Sequence, residues 1–257
     1  MPKPKTDHFA AIADIHGNAD ALSAVLADID ARGIGTVVNL GDHFSGPLAA
    51  AETAEILLSR PMLSVRGNHD RYLIEHPPHQ MHRSDAVAYR QLQPQHLDWL
   101  RSLPPTAAMG AGTGDGILLC HATPQDDQTY WLDEVRPDGS TGPRPLDGIR
   151  TLAGSTDARL ILCGHTHLPR VVTLPGGPQI VNPGSVGLPA YDDDTPVAHV
   201  MQTGTPDASY AELVRCGDRW SVTIHSVPYE SARMAALARD ENREDWATAL
   251  ETGWLAV

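Results

Sequence analysis

Five short segments carrying metal-ligating side chains recur down this chain, and most follow directly on an apolar run. They are Asp14-Ile15-His16, Gly41-Asp42, Gly67-Asn68-His69-Asp70, His121 and Gly164-His165-Thr166-His167. The runs before them, Phe9–Ala13, Thr36–Leu40, Met62–Arg66, Ile117–Cys120 and Leu160–Cys163, read as short buried strands. Sites in α/β proteins form at the carboxyl ends of parallel strands, where loops from separate strands converge. Five such ends can bring two aspartates, an asparagine and four histidines around one small volume. The chemistry shared by these residue types is the binding of divalent metals.

The spacing between runs supports parallel strands. Leu22, Val25, Leu26 and Ile29 lie at helical spacing within Ala19–Ala31, Gly33 and Gly35 close that helix, and Leu48–Arg60 reads as a second helix ended by Pro61. The resulting β-α-β-α-β rhythm calls for right-handed crossovers. Residues from about His76 to Pro105 break it. They hold His76, His79, His82 and His96 and end in a short helix around Leu97–Leu100. These histidines follow no ligand spacing and are expected on the surface or in a small cap facing the substrate. Beyond a proline-rich loop and a helix near Leu146–Ser155, the second half turns strand-rich, with Gly176-Gly177 as a hairpin turn. The alternation Trp220, Val222, Ile224, Val227 suits a half-exposed antiparallel strand with His225 on its wet face. Glu230 to about Leu250 reads as one amphipathic helix.

At 257 residues the chain is expected to form a single domain over 1–257 with a possible cap insertion around 76–105. A net charge of −13, with Lys3 and Lys5 the only lysines and the arginines scattered, argues against nucleic acid as a partner. A bound cation would reverse that sign locally and admit a small anion. No apolar stretch approaches the ~20 residues that span a bilayer, and the start, Met1 to Asp7, runs into a strand and not into a secretory core. No membrane association and a cytoplasmic location are therefore expected. Three cysteines without Cys-x-x-Cys spacing give no disulfide framework or zinc knuckle, and Cys120 and Cys163 read as small buried hydrophobes.

Taken singly, Asp-x-His or His-x-His is weak evidence, since such an aspartate can simply bond its own turn. Together and in this order, the segments resemble the complete signature of the calcineurin-like metallophosphoesterases, over residues from about 9 to 190. Asp14-Ile15-His16-Gly17-Asn18 and Arg66-Gly67-Asn68-His69-Asp70 are similar to segments of Ser/Thr protein phosphatases and diadenosine tetraphosphatases. Asn182-Pro183-Gly184-Ser185-Val186-Gly187 more resembles the small bacterial and archaeal phosphodiesterases of that superfamily.

The resemblance implies an α/β fold: a two-sheet β-sandwich flanked by helices, in four layers (αββα), with metals at one edge. It implies that Asp14, His16, Asp42 and His167 hold one ion, and that Asp42 bridges to a second held by Asn68, His121 and His165. The donors suit Mn²⁺, Fe²⁺, Ni²⁺ or Zn²⁺ better than an all-oxygen Mg²⁺ or Ca²⁺ site. Two such ions roughly 3.5–4 Å apart activate a bridging hydroxide for in-line attack on phosphorus and neutralise the phosphoryl oxygens. His69, outside the ligand set, would protonate the leaving group. Asp70 beside it could orient the ring, and Arg66 could grip a phosphoryl oxygen or pair with a surface carboxylate. His43, where a hydrophobic or aromatic residue is usual, is expected to point away into a hydrogen bond more than towards substrate. Asn182 and Ser185 read as structural, and Asp192-Asp193-Asp194 as a solvated loop.

The expected function is that of a dinuclear metal-dependent phosphodiesterase acting on a small nucleotide or related diester. Phosphoprotein phosphatase and dinucleoside polyphosphate hydrolase are the alternatives. A non-catalytic metal-bound scaffold is disfavoured because neither a ligand nor the acid histidine is missing. A two-fold homodimer is the assembly to expect if the chain oligomerises.

Overall fold

The structure, a computed structural model, describes residues 7–110 and 116–255. The termini at 1–6, including Lys3 and Lys5, and at 256–257 lie outside the described residues, as do 111–115.

The first half alternates β1 (His8–Ile12), α1 (Ala19–Ala31), β2 (Val37–Asn39), α2 (Ala50–Ser59) and β3 (Leu63–Ser64). Next come α3 (Asn68–Glu75), α4 (Arg83–Gln91) and α5 (Pro94–Ser102), then β4 (Ala107–Met109) and β5 (Ile117–Leu119). A short hairpin, β6 (Asp133–Val135) and β7 (Thr141–Pro143), interrupts the proline-rich loop before α6 (Leu146–Ala153) and β8 (Leu160–Leu162). The strand-rich part holds β9 (Arg170–Thr173), β10 (Gln179–Asn182), β11 (Ala190–Asp193), β12 (His199–Gln202), β13 (Ala208–Cys216) and β14 (Arg219–Val227). Two helices, α7 (Ala232–Asp240) and α8 (Glu244–Thr252), follow.

Two five-stranded sheets form, in orders β14-β13-β1-β2-β3 and β4-β5-β8-β10-β9. Within the first, β1, β2 and β3 are parallel, with Ile12 opposite Asn39 and Asn39 opposite Ser64. Within the second, β5, β8 and β10 are parallel, with Leu119 opposite Leu162. The period-2 pattern of each strand makes the layers. Phe9, Ala11 and Ala13 of one sheet meet Leu119, Leu160 and Leu162 of the other in a dry core between the sheets. Ala10 and Ile12 point the other way, onto Leu22, Val25 and Ile29 of α1 and Ala54 of α2. On the far side, Ile161 and Ile180 pack against Trp131, Ile149 and Ala153, the last two from α6. Helix–sheet–sheet–helix is the four-layer order expected.

Segment 76–105 extends the first helical layer: Ala88 of α4 and Leu97 and Leu100 of α5 join the α1–α2 core. His96 is a correction to the surface expectation for these histidines. It is 1% exposed, its Nδ1 accepts from the Gln93 amide (3.2 Å), and its Nε2 lies 3.0 Å from Glu55. The tail is a second correction. The single helix expected over 230–250 breaks after Asp240, where Asn242 adopts φ 55° and turns the chain back so that α7 and α8 pack around Met234, Trp246 and Leu250. His225 is a third: it stacks on Tyr210 at 4.8 Å and bonds Glu212 at 2.8 Å instead of standing free in water. Among the described residues no helix is long and apolar enough to cross a membrane.

Candidate metal centre

All five ligand-bearing segments leave the carboxyl ends of parallel strands: β1, β2 and β3 in one sheet, β5 and β8 in the other. Because the sheets face each other, the five loops meet at one edge of the sandwich. The backbone there is unusual. Six non-glycine residues have positive φ among the described residues, and five are Asp14 (55°), His16 (51°), Asp42 (57°), His165 (70°) and His167 (61°). Left-handed backbone disfavours residues with a Cβ and persists where the surroundings enforce it, commonly at functional sites. His165-Thr166-His167 is therefore not an extended stretch. The two imidazoles turn into different groups.

Those groups are Asp14, His16 and His167, and Asp42, His121 and His165; within each, the donor atoms lie within 4.8 Å of one another. Asp42 Oδ2 stands between them, 3.8 Å from His16 Nε2 and 3.3 Å from His121 Nε2. Asn68 Oδ1 lies 3.1 Å from His121 Nε2. The seven residues expected as ligands thus converge, in the division the resemblance implies.

The hydrogen bonds around the rings show what the convergence is for. His16 Nδ1 faces Ser45 O (2.8 Å), His121 Nδ1 faces Leu40 O (2.8 Å), His165 Nε2 faces Gln128 O (2.8 Å) and His167 Nδ1 faces Leu188 O (2.7 Å). A carbonyl only accepts, so each of these nitrogens carries a proton, and each ring's other nitrogen turns to the cluster. Histidine ligands are characteristically held this way by their second nitrogen. In the neutral rings the bare lone pairs of His16 Nε2 and His167 Nε2 sit only 3.1 Å apart. Two lone pairs repel at that distance, and a cation beside them relieves the repulsion. The donor set fits metal.

Without a cation, electrostatics split these groups. Burial drives His16 down to about 4 and His165 down to about 3, and holds His167 well below the usual imidazole range. Burial also raises Asp14 to about 8. It opposes charge on His121 as well, but the Asp42 carboxylate outweighs it and lifts this ring to about 10.

His69, at the N-terminus of α3, stands beside the ligands with 28% of its side chain exposed, its ring edge-on to His16 at 5.6 Å. Burial works against its protonation, but Asp42 and Asp85 overcome this and raise it to about 9. Its partner corrects the expectation for Asp70. Asp85, on the first turn of α4, places Oδ1 2.8 Å from His69 Nδ1, and the same oxygen accepts from Ser45 Oγ at 2.6 Å. No sequence spacing marked Asp85, which lies in the segment that broke the strand–helix rhythm. Asp70, fully buried, faces the opposite way. It accepts the amides of Asp42 (2.9 Å), His43 (3.0 Å) and Gly67 (2.9 Å), and His43 Nδ1 at 2.7 Å. His43 accordingly points away from the cleft, its ring edge-on to Trp99 at 4.9 Å. Gly67 is required by closeness: a Cβ there would sit 2.1 Å from Asp42 Oδ1.

Asn182 donates to Gly164 O (2.8 Å) and Thr166 Oγ1 (3.0 Å), and Ser185 Oγ donates to Asp14 O (2.7 Å), so both hold ligand loops. Arg66 is not on the cleft wall. Its Nε is buried without a hydrogen-bond partner among the described residues, and its amide donates to Pro104 O. The cleft occupies about 940 Å³. Each of four imidazoles at its base touches an aromatic wall residue: His69 on Tyr72 (5.6 Å), His16 on Trp246 (6.0 Å), His165 on Tyr130 (5.1 Å) and His167 on Tyr191 (4.6 Å). Asp192, Asp193, Asp194 and Asp245 line its wall together with Arg83, Arg144 and Arg243.

Comparison with known proteins agrees with this geometry. A metallophosphoesterase from Sphaerobacter thermophilus superposes with a TM-score of 0.70 at 27% identity, covering 96% of this chain and 100% of that one. The hypothetical protein PH1004 from Pyrococcus horikoshii OT3 shares the fold with a TM-score of 0.74 at 19% identity, covering 97% and 99%. The uncharacterized protein MJ0912 of Methanocaldococcus jannaschii is 29% identical over 200 residues, 70% of this chain and 76% of its own length. Residues 8–205 match the calcineurin-like phosphoesterase superfamily domain. With strands that deliver two groups of side chains able to hold metal to one edge and His69 beside them, the chain belongs to the calcineurin-like phosphoesterase superfamily and is a metal-dependent phosphoester hydrolase.

Proposed function

We propose that the protein is a phosphodiesterase that uses two divalent ions, of the Mn²⁺, Fe²⁺, Ni²⁺ or Zn²⁺ type, on a small nucleotide-like diester. The observation that carries the reading is the pair of donor groups sharing Asp42, with His69 outside both but against them. When bound, such ions lower the pKa of water and neutralise charge on the phosphoryl oxygens.

The chain's own side chains do the rest. Asp42, reaching both groups through Oδ2, sets their separation. The carbonyls of Ser45, Leu40, Gln128 and Leu188 fix the orientation of the four ligand rings. His69 keeps Nδ1 on Asp85 and so presents Nε2 to the cleft, where it delivers a proton to the departing oxygen. Asp85 stabilises the ring while it carries that proton. The wall selects the ester class. Aromatic surfaces beside both His69 and His165 offer a face to a substituent on each side of phosphorus, as a diester has and a monoester lacks. The chain's net charge of −13 disfavours nucleic acid.

The test is hydrolysis of bis(p-nitrophenyl) phosphate against p-nitrophenyl phosphate by metal-stripped protein resupplied with Mn²⁺, alongside His69→Ala and Asp42→Ala. Diester turnover that requires metal and collapses in both variants supports the reading. Preference for the monoester, or turnover that survives either substitution, sinks it.

A further inference from the structure

The proton donor is built from three separate parts of the chain, and the last lies past the matched domain, which ends at residue 205. Asp85 owes its place to the first turn of α4, and that turn is tied to the C-terminal helices. Arg243, at the junction between α7 and α8, donates from Nη1 to Ser84 Oγ at 2.6 Å. Its Nη2 reaches Asp245 Oδ2 at 2.6 Å and its Nε reaches Asp245 Oδ1 at 2.9 Å. Its guanidinium lies over the Trp246 ring at 5.4 Å, and that ring packs edge-on against His16 at 6.0 Å. Arg83 on the same turn of α4 donates to Glu241 O, and Arg90 reaches the Glu241 carboxylate at 3.1 Å.

Arg243 is an unusual cation for a substrate cleft. Only 13% of its side chain is exposed, and its three nitrogens are already bonded to Ser84 and Asp245. An arginine bonded in this way is a strut with one geometry, because its planar fork loses little freedom once engaged. Asn242, the sixth residue with positive φ, is the turn that aims it. Ser84 is buried and directly precedes Asp85. Moving Ser84 therefore moves the carboxylate that holds His69, and displacements of about 1 Å in a catalytic group cost large factors in rate.

We propose that Arg243 is a positioning residue for the proton donor: through Ser84 it fixes the first turn of α4 and hence the hydrogen bond from His69 to Asp85. The C-terminal helices then serve leaving-group departure as well as stability. This rests on the phosphodiesterase reading for its kinetic test, and one measurement below stands without it.

The experiment compares wild type with Arg243→Met, Arg243→Lys and Ser84→Ala on bis(p-nitrophenyl) phosphate and on diphenyl phosphate. A nitrophenolate leaves with little help from an acid, whereas a phenolate needs the proton more. General acids contribute about 10²–10⁴-fold, so partial misplacement lowers kcat on diphenyl phosphate by about tenfold. The nitrophenyl ester changes much less and KM holds on both. Arg243→Met and Ser84→Ala give the same loss, their combination is no worse than either, and Arg243→Lys recovers part of it. Independently of turnover, the Nδ1–H proton of His69, assigned by its absence in His69→Ala, is sharp and downfield in the NMR spectrum of wild type and broadened in Arg243→Met and Ser84→Ala. Equal losses on both esters, or a raised KM, make Arg243 a direct substrate contact and overturn the proposal. An unchanged His69 proton in both variants overturns it too. Wild type turning over neither ester, with the proton broadened as expected, sinks the diesterase reading and leaves the positioning role standing.

Discussion

Replacing Asp70 by asparagine separates two accounts of the residue next to His69. Asp70 is wholly buried, and its four hydrogen bonds all go to donors: three backbone amides and His43 Nδ1. Three of those donors gather on Oδ2, so the amide oxygen of an asparagine takes that side, and the new NH₂ faces the His43 amide, which bonded Oδ1. One hydrogen bond to a charged acceptor is lost, at about 1.5–3 kcal/mol, and a buried donor is left without an acceptor, at about 1–3 kcal/mol more. The remaining three weaken as the acceptor loses its charge. A cost of about 4 kcal/mol follows, and in a chain of this size each kcal/mol lowers Tm by about 2–4 °C, so Asp70→Asn lowers Tm by about 8–16 °C. Because the bonded amides include those of Asp42 and Gly67, the variant also binds metal more weakly. Thermal unfolding by circular dichroism and metal titration by calorimetry read both effects. A stability loss under about 1 kcal/mol, with a fall in kcat confined to poor leaving groups, would falsify this account and return Asp70 to the role of orienting His69.

Three further outcomes follow from the geometry. Gly67→Ala forces a methyl to within 2.1 Å of Asp42 Oδ1, and elemental analysis will find less than the wild-type metal content and little diester turnover. Resupplying Mn²⁺ at 100 times its Kd to stripped protein stabilises it by about 2.7 kcal/mol per independent site; an unchanged Tm would mean that the donor groups hold no ion. The stripped protein is most stable near pH 6.5, the unperturbed imidazole value. Below it, His16 and His165, driven by burial to about 4 and 3, bind protons only on unfolding, so their contribution is lost as pH falls from 6.5 towards 4. Above it the raised groups act in reverse: His121, lifted to about 10 by Asp42 against burial, and Asp14, raised to about 8 by burial, lose their contribution as pH climbs through those values. Urea unfolding at pH 5, 6.5 and 8.5 checks the shape, and a monotonic profile contradicts it.

Much of the site was legible because its signals are local. An apolar run of four or five residues buries a strand whatever surrounds it, and the residue types just past its end declare their chemistry. So β1, β2, β3, β5 and β8 and the seven donors Asp14, His16, Asp42, Asn68, His121, His165 and His167 could be named from the chain alone, and the order of the motifs pointed to the family and its layered fold. Partnerships could not be read. Asp70 looked like the support of His69 because it is adjacent in sequence, but a helix start sends successive side chains in different directions, and Asp85 arrives from another helix. A single tail helix matched the hydrophobic pattern, yet the left-handed turn at Asn242 split it and brought Arg243 onto Ser84. His96 looked exposed by composition, but it is buried, with its Nε2 on Glu55 of α2. Strand burial and ligand chemistry are properties of a few consecutive residues, whereas the partner of a side chain depends on which distant backbone packing brings within about 3 Å. The donor set was thus determined by the sequence itself, and how those donors and the acid are held was decided only by the tertiary fold.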